Sequence, residues 1–139
     1  MILQDELVLL RGVPLFAGMN PMKIKLLAFA SDRVTFEAGQ YLFRQGDAAD
    51  AAYVILSGSV ELILTNDEGV VKVGEAYKQS VVGEFALLCD KPRNTSAIAA
   101  TKVETLRITK DHFQQLLACC PDTMAAIMTV LGDRMAKAI

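Results

Sequence analysis

Glu84 and Arg93 are the two charged residues whose setting suggests chemistry. Both lie in Gly83-Glu84-Phe85-Ala86-Leu87-Leu88-Cys89-Asp90-Lys91-Pro92-Arg93-Asn94-Thr95-Ser96, a stretch that interrupts a β-rich pattern. The good helix formers from Glu84 to Cys89, placed after a glycine, predict a helix of one to two turns. Its first N–H groups have no intrahelical acceptor and make an anion site. Pro92 disfavours helix at Lys91 and turns the chain, which can bring Arg93 back toward the same spot. A guanidinium beside a helix start suits a phosphate, because its planar fork donates paired hydrogen bonds. Glu84 would repel a bare phosphate unless the ligand also offers a hydroxyl for the carboxylate to accept. A ribose phosphate offers both groups. Two plainer readings stand beside this one: Gly83-Glu84 as a simple turn, and Arg93 as a solvated surface charge.

Other chemistries find little support in the residue inventory. The single histidine, His112, cannot supply the clustered ligands of a jelly-roll metalloenzyme, and its place near a helix start suits a surface or capping role. The three cysteines, Cys89, Cys119 and Cys120, are odd in number and lack C-x-x-C spacing, which suggests a reducing compartment. A nucleophile at Cys89 would need a base and an activated thiolate, and the simplest role for that residue is apolar filling. No G-x-x-x-x-G-K-[ST] phosphate loop is present. We therefore assign no catalytic residue, metal ligand or cofactor. Fourteen Lys and Arg against sixteen Asp and Glu give a net charge of -2, the wrong sign for life on a polyanion, so no direct nucleic-acid binding is expected. Asp5 and Glu6 stand where a secretory signal would be basic, and no apolar run approaches the roughly twenty residues of a membrane span. The expectation is a soluble cytoplasmic protein.

The elements that must hold Glu84 and Arg93 follow from periodicity. The 139 residues, 53% of them apolar, fit one domain spanning 1–139. Leu3, Leu7 and Leu10 recur at helical spacing, and Asn20-Pro21 reads as an N-cap with proline at the first helical position, so residues 1–31 are expected to be helical. Residues 32–108 read as short strands at Asp32–Phe36, Gln40–Phe43, Ala52–Leu56, Ser59–Thr65, Val70–Ala76, Ala97–Ala100 and Val103–Ile108, each with one face buried and one wet. Asn66-Asp67-Glu68-Gly69 supplies a hairpin turn. Residues 109–139 return to helix, with Thr109 capping a first helix through Ala118 and Pro121 opening a second. Met124, Met128, Leu131, Met135 and Ala138 make a short heptad seam on that last helix, which reads either as cover for the domain's own sheet or as a homodimer contact. The fold class is α+β, mainly β: an antiparallel β-roll (double-stranded β-helix or jelly roll) flanked by N-terminal and C-terminal helices.

Gly83-Glu84-Phe85-Ala86-Leu87 followed by Pro92-Arg93-Asn94-Thr95-Ser96 closely resembles the phosphate-binding cassette of cyclic nucleotide-binding domains, as in catabolite-activator-like proteins and protein kinase A regulatory subunits. The likeness extends through Phe36-Glu37-Ala38-Gly39-Gln40, Phe43-Arg44-Gln45-Gly46-Asp47 and Tyr53-Val54-Ile55-Leu56-Ser57-Gly58. The resemblance implies that Arg93 pairs with the cyclic phosphate and that Glu84 accepts the ribose 2′-hydroxyl. It also implies that the backbone at Gly83, Phe85 and Ala86 lines the site, with Asn94 and Thr95 adding polar contacts and Leu62 or Val73 contributing to a purine wall. Val82 departs from a frequent phenylalanine, and Thr95 from a frequent alanine. Asn94 is not the threonine of guanine-preferring sites, so cAMP is favoured over cGMP. In the family the final helix reports occupancy. The chain stops at Ile139 after that helix, so the expectation is a stand-alone, bacterial-type sensor signalling through a dimer or an unknown protein effector. The alternative is a degenerate, ligand-free scaffold or dimerisation module of the same fold.

Overall fold

Among the described residues, β-branched and aromatic residues in short runs form eight strands, because such side chains pack well on a pleated, half-buried surface. The computed structural model describes residues 8–13, 16, 20–89 and 91–119. After a helical stretch at 8–11 come α1 (Pro21–Ala30), β1 (Asp32–Phe36), β2 (Tyr41–Phe43), β3 (Ala51–Ser57), β4 (Val60–Asn66), β5 (Gly69–Ala76) and β6 (Val81–Val82). They are followed by α2 (Glu84–Cys89), β7 (Ser96–Ala99), β8 (Val103–Thr109) and α3 (Lys110–Cys119). The expected helical character of the first thirty residues is broken at Gly12 and Val13, which form a turn and a bend.

The strands make two four-stranded sheets, β1-β8-β3-β6 and β2-β7-β4-β5, in which every pairing is antiparallel. This alternation of chain-distant strands is the expected roll. Asn66 faces Gly69 across the predicted β4–β5 hairpin, and the Asn66 side chain accepts from the Glu68 N–H at 2.9 Å.

The expectation of one dry and one wet face per strand fails at β3 and β5. Strand β3 is buried at every position from Ala51 to Leu56, because it lies inside its sheet between β8 and β6 with packed layers on both sides. Ala52, Val54 and Leu56 join Ile24 and Leu27 of α1 and Phe113 of α3 in an outer core under the helices. Ala51, Tyr53 and Ile55 join Leu42, Val60, Val82, Ala97 and Val103 in a second core inside the roll. Strand β5 is the opposite case: it ends its sheet, and Val70, Val71 and Val73 are each more than half exposed.

Asn20 caps α1 as expected, its Oδ1 accepting from the Met22 N–H at 2.8 Å with Pro21 in the first turn. Asn20→Ala should cost about 1 kcal/mol, a fall in Tm of about 3–4 °C for a domain of this size. Thermal unfolding followed by circular dichroism checks this, and Asn20→Asp should retain most of the stability. Thr109 Oγ1 likewise accepts from the His112 N–H at 3.3 Å at the start of α3, and the His112 ring nitrogen Nδ1 lies 3.1 Å from the same hydroxyl. The expected helix from Pro121, its heptad seam and the homodimer contact built on them lie outside the described residues.

Gln79, just before β6, holds φ +71° while its backbone N–H donates to the Ile55 carbonyl at 2.9 Å. Its side-chain amide donates to the Leu9 carbonyl at 3.2 Å. These bonds fix the strand that delivers Gly83 and Glu84.

Candidate functional site

Gly83 ends β6 with φ +86°, and this left-handed turn starts α2 at Glu84. Helix α2 occupies the predicted six residues. Glu84 is fully buried, and its place in the first helical turn favours a carboxylate. The reading of Gly83-Glu84 as a plain surface turn is thereby set aside.

After α2 the Lys91 N–H donates to the Ala86 carbonyl at 3.1 Å, which folds the chain back before Pro92. Arg93 then meets the β2–β3 loop edge to edge. Its N–H donates to the Asp47 carbonyl and its own carbonyl accepts from the Gly46 N–H, both at 2.8 Å. That loop is anchored in turn by Gln45, whose N–H donates to Ser96 Oγ at 2.8 Å. The Gln45 amide also exchanges hydrogen bonds with the Thr65 backbone at 2.8 and 3.0 Å.

So held, Arg93 is only 3% exposed, which excludes the reading of a solvated surface charge. Nη1 donates to the Gly83 carbonyl at 2.7 Å, and Nη2 donates to the Ala51 carbonyl. The guanidinium lies 4.1 Å from the Phe43 ring centroid. Phe43 stacks on Tyr53 at 6.3 Å, and Phe36 meets Tyr53 edge-on at 5.9 Å, so the cation caps a column of three rings inside the roll. Burial pulls the Arg93 pKa down, while Tyr53, Asp50 and Asp47 act to raise it. The group stays cationic, because a guanidinium is not deprotonated in proteins. The Nε atom is buried with no hydrogen-bond partner among the described residues. A buried donor left over in this way costs free energy unless something accepts from it.

The structure therefore brings Arg93 onto the carbonyl of Gly83, the residue before Glu84, as the sequence predicts. Phe85 and Ala86 follow in α2, with Ala86 buried. Asn94 is exposed and Thr95 half-buried in the bend after Arg93. Leu62 packs partly against the inner core, whereas Val73 is 51% exposed on β5.

Sequence reading missed three contributors to the arginine's setting. Phe43 entered only as the end of an expected strand and as part of the family likeness, the Ala51 carbonyl has no sequence signal, and Asp50 was not singled out. Asp50 Oδ1 lies 4.0 Å from Arg93 Nη2. Among the described residues no group of three His, Cys, Asp or Glu could hold a metal, and no helix is long and apolar enough to cross a membrane.

Comparison with known proteins agrees with this geometry. The family model for the cyclic nucleotide-binding domain matches residues 33–119. A cAMP-dependent protein kinase regulatory subunit of Emericella nidulans is 38% identical over 109 residues, covering 78% of this chain but only 26% of that protein. A cyclic nucleotide-binding-like protein from Brucella abortus superposes with a TM-score of 0.70 at 36% identity, covering 82% of this chain and 98% of that one. The catabolite activator protein of Thermus thermophilus superposes with a TM-score of 0.82 at 28% identity, over 90% of this chain and 59% of that one. A jelly roll carrying Glu84 and Arg93 in this register, with a family match across more than half its length, belongs to the cyclic nucleotide-binding domain family.

Proposed function

We propose that this chain binds a cyclic nucleotide and acts as a sensor or regulatory module rather than as an enzyme, with cAMP favoured over cGMP. One observation carries the reading: Arg93 is buried with an Nε–H that has no partner among the described residues, and its Nη1 sits on the carbonyl of Gly83, the residue before Glu84. Two of its five N–H groups are spent on carbonyls, so a fork-like donor set remains for a phosphate. Glu84 accepts the ribose 2′-hydroxyl. The backbone at Gly83, Phe85 and Ala86 lines the ligand, and Asn94 and Thr95 contribute polar contacts at the open side. Occupancy is reported by movement of the segment after α3, acting through a second copy or a separate protein effector in the cytoplasm. A ligand shifts such an equilibrium only if it binds one arrangement better.

A second reading draws on the same bonds. Arg93 already has two carbonyl acceptors, a ring beneath it and Asp50 at 4.0 Å, which favours a scaffold whose arginine is satisfied within the chain. Thermal unfolding with cAMP, cGMP and linear 5′-AMP separates the two. At about a hundred times the dissociation constant, a cognate ligand adds ~2.7 kcal/mol, or about 10 °C in Tm. We expect the cyclic forms to exceed 5′-AMP, and cAMP to exceed cGMP. Equal and negligible shifts for all three would establish the scaffold.

A further inference from the structure

Arg107 faces Tyr53 across the β3–β8 ladder and Asp32 across the β1–β8 ladder. Residues directly opposite on paired strands present their side chains to the same face, so Arg107 leaves β8 on the inner side of the sheet. That side also carries the tyrosine beneath the Phe43–Arg93 stack. Its guanidinium lies between two carboxylates. Nη2 donates to Asp50 Oδ2 at 3.1 Å, and Nη1 lies 3.8 Å from Asp32 Oδ2. The other oxygen of Asp50 faces Arg93 Nη2 at 4.0 Å, beyond hydrogen-bonding range.

One carboxylate thus stands between two arginines and bonds to only one of them. Asp50 is 71% exposed, so little besides Arg107 fixes its carboxylate, whereas Arg93 is locked in place by carbonyls and a ring. An anionic ligand on Arg93 must compete with any carboxylate that closes on the same guanidinium. We propose that Arg107 is a positioning residue for the anion site: by holding Asp50, it keeps that carboxylate from closing on Arg93 and leaves Arg93 open to an incoming anion. The proposal rests on the reading of Arg93 as the anchor for a cyclic phosphate.

Equilibrium binding of cAMP and cGMP to the full chain by calorimetry, with Arg107→Gln, Asp50→Asn and the double variant, tests it. Exposed ion pairs are weak, so Arg107→Gln is expected to reduce affinity about three- to fivefold. Asp50→Asn should bind at least as tightly as the parent, and Asp50→Asn in the Arg107→Gln background should restore parental affinity. Arg107→Lys should keep most of it. A purely structural arginine would not be rescued by changing Asp50, so equal losses in both backgrounds overturn the proposal. A crystal structure of Arg107→Gln gives a readout that needs no nucleotide: Asp50 and Arg93 should close to about 3 Å, a direct hydrogen bond. If their separation stays at 4 Å, Arg107 is not what holds Asp50 away. Failure of the parent chain to bind either nucleotide, with that closure still observed, removes the ligand reading while confirming the restraint on Asp50.

Discussion

Arg93→Ala is expected to remove any response to cyclic nucleotide and also to lower the stability of the protein by itself. Both effects have the same origin. The guanidinium satisfies the carbonyls of Gly83 and Ala51 and covers the Phe43 ring, all within the mouth of the roll. Truncation leaves acceptors unpaired at about 1–3 kcal/mol each, and the cation–π contact of a desolvated guanidinium adds about 2 kcal/mol. These contributions share one side chain and do not sum fully, so a net loss of about 3–5 kcal/mol is expected, or a Tm lower by about 10–20 °C. Arg93→Lys separates folding from recognition. Lysine keeps the charge but has no planar fork, so it cannot reach both carbonyls and still present paired donors. Its Tm should fall between those of the parent and Arg93→Ala, while affinity for cAMP should fall at least 100-fold, about 2.7 kcal/mol. A folded Arg93→Lys protein that binds cAMP as tightly as the parent would show that the arginine is a structural strut and no anion anchor.

How much of this was legible beforehand depends on how local the governing physics is. The α1 cap needs only Asn20 and Pro21, the β4–β5 turn needs only Asn66 to Gly69, and both were readable. Pro92 signals a turn of the chain, so the return of Arg93 toward Gly83 was readable in direction, though the backbone bonds to Ala86, Gly46 and Asp47 that complete it were not. Phe43 and Ala51 meet the arginine through the pairing of strands far apart in the chain, and no spacing rule encodes that meeting. A backbone carbonyl as acceptor carries no residue type at all. The burial of β3 on both faces was legible only as an unbroken apolar run at Ala51–Leu56, which its expected alternation concealed. Asp50 could have been suspected from its place just before that run, where a loop acid becomes a strand-end charge. Its choice between Arg93 and Arg107 is settled by a side chain more than fifty residues downstream, which the β3–β8 register sets opposite Tyr53.

Gly83→Ala tests whether the close approach of backbone and guanidinium is a real constraint, and Gly39→Ala supplies the control. Both glycines hold a positive φ, +86° at Gly83 and +91° at Gly39, so alanine pays a conformational cost at either position of about 1 kcal/mol. At Gly39 a Cβ would meet nothing within 4 Å. At Gly83 it would lie 2.5 Å from Arg93 Nη1 and 3.1 Å from the Phe43 ring, so something must move. The ring is braced by Tyr53, and Tyr53 by Phe36, which leaves the guanidinium as the group that yields. Displacing it breaks the bond to the Gly83 carbonyl and shifts the remaining donors away from the ligand. Gly39→Ala should therefore lower Tm by about 3–4 °C with cyclic-nucleotide affinity unchanged. Gly83→Ala should cost about 2–4 kcal/mol, the left-handed cost plus that of a displaced buried charge–carbonyl bond, and should weaken cAMP binding at least tenfold. Equal losses in the two variants, with binding intact in both, would mean that residue 83 has room for a methyl group and that the arginine is not held by the turn that precedes Glu84.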